Sequence, residues 1–140
     1  MSSRVCGERL TNSRWIAYVS IESGTREVYV RPFSPDGNTG TNGAKWLVSK
    51  GTGVYPRWRA DSKELFYISQ TVQQMAVDID TSKGFQAGTP RQLFAVPPPA
   101  LTLDWSLAPD GKRFLYLAPT GTGRTIPFTV VVNWAAALKK

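Results

Sequence analysis

The chain has 140 residues, 41% hydrophobic and 19% charged, long enough to bury a core and too apolar to be disordered. It holds no histidine and one cysteine, Cys6, which excludes an internal disulfide, a Cys-rich zinc site and any catalytic triad built on histidine. The net charge is +7, yet Lys and Arg are scattered, as on a solubilising surface more than on a nucleic-acid footprint. No stretch approaches the roughly 18–20 apolar residues of a membrane span. The first eight residues lack an apolar signal core, so a cytoplasmic location is expected by default, and a periplasmic one if a leader was removed.

In chain order, the first candidate strand is Val5 to Leu10, a poor match to its later counterparts, followed by the turn residues Asn12-Ser13 and the apolar run Trp15 to Val19. Glu27 to Arg31 and Lys45 to Ser49 complete a first unit, separated by a loop over Ser34 to Gly43. The second unit reads Val54 to Trp58, a turn at Asp61-Ser62, Leu65 to Ile68, Gln74 to Ile79 and Arg91 to Val96. The third reads Leu103 to Leu107, the hairpin signal Asp110-Gly111, Phe114 to Leu117 and Phe128 to Val132, with no fourth strand and a short helix-capable tail from Ala135. The β-branched and aromatic content of these runs favours strands.

Three of the runs are copies of one another. Asn12 to Tyr18, Asp61 to Tyr67 and Asp110 to Tyr116 align, and their tyrosines stand 49 residues apart. An exact period of this length marks a stacked or radial array whose units cannot bury a core alone. Within each copy both faces are apolar: Leu65 and Tyr67 oppose Phe66 and Ile68, and Phe114 and Tyr116 oppose Leu115 and Leu117. A strand apolar on both faces lies in a sheet packed between two others. Four antiparallel strands per unit, buried in the middle and joined by regular turns, describe an all-β fold of β-propeller blades. The expected divisions are blade 1 at about 4–50, blade 2 at about 54–97, blade 3 at about 102–134 and a tail at 135–140.

The segment Leu107 to Tyr116, with Pro109-Asp110-Gly111 ahead of an apolar strand, resembles the repeat motif of TolB-like propellers, and Tyr55 to Tyr67 is a second copy. The closing Val131-Val132-Asn133-Trp134 is similar to the end of such a propeller, so nearly the whole chain looks like its C-terminal blades. Ser34-Pro35-Asp36-Gly37 imitates the motif, but no apolar strand follows, and it reads as a loop turn. The first copy has Thr11-Asn12-Ser13 where the family has Pro-Asp-Gly, which points to a frayed or truncated start. The resemblance implies a six-bladed ring, whereas this chain encodes about three blades. Three solutions are open: a two-fold homodimer closing six blades, further blades elsewhere, or a non-propeller β-fold. The homodimer is the expectation adopted.

No metal or cofactor is implied by the residue pattern. Asp78 and Asp80 share a strand face, but Asp80 to Gly84 has ordinary turn composition. Thr120 to Thr125 lacks the ending of a phosphate loop, and Cys6 has no histidine to activate it. The five tryptophans read mostly as blade packing. The candidate partner-binding residues are Tyr55, Arg57, Arg59, Asp104 and Trp105 at the innermost strand position, with the loop residues Arg26 and Arg124. The expected role is a non-catalytic scaffold binding a protein, peptide or other acidic partner. An accessory propeller of a peptidase or kinase is the alternative, and polyanion or nucleic-acid binding a weaker one.

Overall fold

The computed structural model of the protein describes residues 8–9, 14–34, 36, 43–98, 101–117 and 128–131; at 8–9, 101–104 and 128–131 the backbone alone is described. Among the described residues every regular element is a strand. The first sheet has the order β1 (Glu8–Arg9), β2 (Trp15–Ser20), β3 (Glu27–Pro32), β4 (Trp46–Leu47). The second is built from β5 (Gly53–Trp58), β6 (Glu64–Ser69), β7 (Gln73–Asp80), β8 (Gln86–Ala87) and β9 (Arg91–Ala95). The third has the order β10 (Leu101–Leu107), β11 (Phe114–Leu117), β12 (Phe128–Val131). All pairings are antiparallel.

The second sheet has one strand more than the four expected. The long β7 pairs with β9 over Gln73–Ala76, and its far end pairs with the two-residue β8 through Ile79↔Ala87 and Asp80↔Gln86. The fourth place in this sheet is thus divided between two short strands. The Ser34–Gly43 loop falls mostly outside the described residues, as do the 120–125 loop and the tail from 135.

Local chemistry repeats with the sequence. Asp61 Oδ1 accepts the Lys63 N–H at 3.0 Å, and Asp110 Oδ1 accepts the Lys112 N–H at 2.9 Å. The Ser62 N–H donates to the Arg59 carbonyl and the Gly111 N–H to the Ala108 carbonyl, each at 2.9 Å. Both turns therefore place one residue in the left-handed region, Ser62 at φ 63° and Gly111 at φ 68°. An Asp side chain bonding two residues ahead is the device that bends the chain here.

The core consists of two seams between sheets. In the first, Ala17, Val28, Val30 and Val48 of the first sheet meet Trp58, Leu65, Tyr67, Val77 and Ile79 of the second, with Phe85. In the second, Phe66, Ile68, Ala76 and Leu93 meet Trp105, Phe114 and Tyr116 of the third sheet. Strand β6 alternates between the two seams, so Glu64 to Ile68 are all buried. That is the physical content of a strand with two apolar faces. Trp15, Trp46 and Phe85 pack their rings within 5.0–5.5 Å at the first seam. Phe66, Phe94 and Trp105 surround Phe114 at the second, in edge-on and tilted geometries.

Candidate functional site

Strand β5 lies beside β1 on one side and β10 on the other, forming the inner edge of the three-sheet arc. This edge is irregular. The β5–β6 register shifts between Val54 and Arg57, and the β10–β11 register shifts between Leu101 and Trp105. In β5 the bulge contains Pro56, which has no N–H for the ladder, and Tyr55 at φ 54°. A tyrosine held in that sparsely populated region is backbone strain at one point of the inner edge. Its side chain, half-buried, packs on the second seam.

The bulge re-aims the residues that follow it. Arg57 of the second sheet reaches across to the third, where its Nε donates to the Trp105 carbonyl at 3.4 Å and its guanidinium carbon stands 5.8 Å from the Trp105 ring centroid. Trp105 is buried, and its Nε1 has no partner among the described residues. Cation over indole, at a partly desolvated edge, contributes about 0.5–2 kcal/mol. Tyr55, Arg57 and Trp105 are therefore brought to one inner rim.

Arg59 is directed elsewhere. Its Nε and Nη2 donate to the two carboxylate oxygens of Asp61, each at 2.7 Å, and its Nη1 donates to Glu64. The paired carboxylate is the chief cause that raises the Arg59 pKa, and reciprocally holds Asp61 down at about 2. Arg91 donates to the other oxygen of Glu64, so this buried carboxylate lies between two guanidiniums. Arg91 also approaches Asp78 at 3.7 Å. Arg59 thus closes an internal ion-pair network at the turn.

Of the remaining candidates, Arg26 is exposed on the loop before β3, where its carbonyl accepts the Gly53 N–H and links the first two sheets. Asp104 is placed by its backbone in β10, and Arg124 lies outside the described residues, as do Cys6 and Trp134. Asp80 Oδ1 accepts the Ser82 N–H at 2.8 Å, an Asx turn.

Sequence reasoning missed three buried polar groups. Tyr116 OH donates to Gln74 Oε1 at 2.5 Å, and Gln74 Nε2 donates to the Tyr67 carbonyl, a chain of bonds across the second seam. Ser49 Oγ accepts the Val28 N–H at 2.8 Å and donates to Glu27. Glu64 is the third. The signal available for it was its position: in a strand apolar on both faces, the residue leading the strand is interior too.

Sheets packed face to face in chain order, with their first strands adjacent along an inner edge, are blades of a β-propeller. No family model and no curated protein matches the sequence. Three solved structures match the fold: the tricorn protease (TM-score 0.57, 14% identity, 94% of this chain and 12% of that one), TolB from Acinetobacter baumannii (0.56, 17%, 94% and 31%) and oligogalacturonate lyase from Vibrio parahaemolyticus (0.55, 14%, 84% and 31%). The fold is that of a β-propeller, as the sequence motif implied, with TolB among its matches, and the chain spans less than a third of the length of each of these proteins.

Proposed function

We propose that the chain is a non-catalytic propeller segment that binds an acidic protein or peptide at its inner rim. The observation that carries this reading is Arg57 held over Trp105 across two blades, each at the point where its strand rejoins the ladder after a register shift. A guanidinium at this rim suits a carboxylate, the planar anion its fork of donors matches. Arg26 and the net charge of +7 favour approach by an acidic partner.

The test uses a fluorescent polyglutamate peptide and an equally charged single-stranded DNA. The wild-type chain is expected to bind the peptide, and Arg57→Gln to weaken it about tenfold, the value of one charge-assisted contact. Equal affinity in wild type and variant would overturn the assignment of Arg57, and preference for DNA would favour the polyanion reading. A second reading, an accessory propeller of an enzyme, is favoured by the fold match in which the chain covers 12% of the tricorn protease. A catalytic domain in the same or a neighbouring reading frame supports it.

A further inference from the structure

The two end faces of the arc are complementary by register. Leu65 and Tyr67 lie in the seam with the first sheet, and Phe66 and Ile68 in the seam with the third. A step of 49 residues carries Leu65 and Tyr67 onto Ile16 and Tyr18, and Phe66 and Ile68 onto Leu115 and Leu117. The first sheet therefore ends on the positions that receive a preceding blade, and the third on the positions that cover a following one. Both internal seams are made by this same pair of position classes.

The receiving face is aromatic at its centre, with the Arg31 guanidinium 5.5 Å from the Tyr18 ring centroid and the Lys45 ammonium 5.7 Å from that of Tyr29. Tyr18 pairs with Tyr29 and Tyr29 with Leu47 across the strands, which puts the three on one face with Ile16. The tyrosine rings stack at 5.9 Å, and Leu47 is 53% exposed. Among the described residues, no other sheet lies against this face. On the third sheet, Leu115 and Leu117 are only half-buried, and Val130 and Phe128 stand in register beside them.

We propose that the Ile16–Tyr18 face of one copy docks head to tail on the Leu115–Leu117 face of a second copy, and that two copies make this junction twice. The occupant is a second copy because this chain carries both halves of the junction. Three blades related by a two-fold axis give a six-bladed ring, within the closed sizes of about four to eight blades, and a heterologous contact that closes forms a ring instead of a filament. The docking does not depend on any partner at the inner rim.

Light scattering at micromolar concentration tests it. The wild type is expected at twice the 15.4 kDa chain mass. Ile16→Asp and Leu115→Asp each place a carboxylate in both junctions of their own dimer and are expected to run as single chains, with association weakened about a hundredfold or more. Mixed in equal amounts, they are expected to recover the double mass, because one junction of the mixed pair is then intact. A wild type that stays a single chain overturns the proposal and leaves these faces to blades of another segment or protein. One variant staying dimeric while the other does not overturns the head-to-tail arrangement. Disulfide trapping in a Cys6→Ser background gives an independent measure: Tyr18→Cys is expected to cross-link to Leu115→Cys and not to itself, and the reverse pattern overturns the proposal. Binding of polyglutamate at the inner rim is read separately, so either result stands alone.

Discussion

Tyr116→Phe removes one oxygen from a residue that is fully buried between the second and third blades. The hydroxyl donates to Gln74 Oε1 at 2.5 Å, and Gln74 is fully buried as well. Burial pushes the Tyr116 phenol well above its usual pKa, so the donating proton is present throughout the neutral range. Deleting the hydroxyl leaves an amide oxygen desolvated, at about 1–3 kcal/mol. Gln74→Met has the converse effect: it strands the phenol and removes the bond to the Tyr67 carbonyl, again at about 2 kcal/mol. The double substitution replaces both partners by apolar groups of similar size. It is expected to lose about 1–2 kcal/mol less than the sum of the singles. Urea unfolding followed by tryptophan fluorescence and circular dichroism reads all three values, and each kcal/mol moves Tm by about 3–4 °C in a domain of this size. A double variant whose loss equals the sum of the singles within about 0.5 kcal/mol would refute the coupling.

Gly111→Ala is expected to destabilise by about 2 kcal/mol or more, because a Cβ there sits at φ 68° and meets Arg59 Cδ at 2.4 Å. Arg59→Ala in the same chain should relieve the steric part, so a Gly111→Ala loss that Arg59→Ala leaves unchanged refutes the contact. Acid unfolding carries the second signature. Asp61 has its pKa lowered to about 2 by Arg59, so its pairing stabilises the fold above the unfolded value of 3.8 and is lost as pH falls toward 2. The carboxylate is 45% exposed, and solvent screening limits the effect to about 0.5–1 kcal/mol. Asp61→Asn should flatten the stability profile between these two pH values, and an unchanged slope there would count against the pair.

The blade framework was legible because it depends on periodicity. Copies spaced by 49 residues with two apolar faces force each central strand between sheets, and β6 with its alternating seams shows this outcome. Strand β8 was not legible: two residues, Gln86 and Ala87, carry no alternation, and they pair only because β7 runs past β9. The inner rim was half legible. The placement of Tyr55, Arg57 and Trp105 on first strands follows from the repeat. The reach of Arg57 across a seam follows from a bulge that only the backbone reveals. Arg59, two residues on, is drawn back by Asp61 and Glu64, and no spacing rule separates it from Arg57. Gln74 and Glu64 look like surface residues by composition. Both are buried, Gln74 against Tyr116 of the next blade and Glu64 between Arg59 and Arg91 of its own, with Tyr116 and Arg91 lying 42 and 27 residues away.

The contact between Gly111 and Arg59 gives the arc a direction. The stem of Arg59, from the second blade, fills the space beside the turn of the third, where only glycine leaves room. One repeat earlier the same turn position holds Ser62, also at positive φ, and one repeat later the position of Arg59 holds Ala108. The copies share a backbone but not a set of neighbours. Exchanging the second and third blades would set Ser62 beside Ala108 and part Gly111 from the Arg59 stem that fits it, so the order of the blades along the chain is written into their turns.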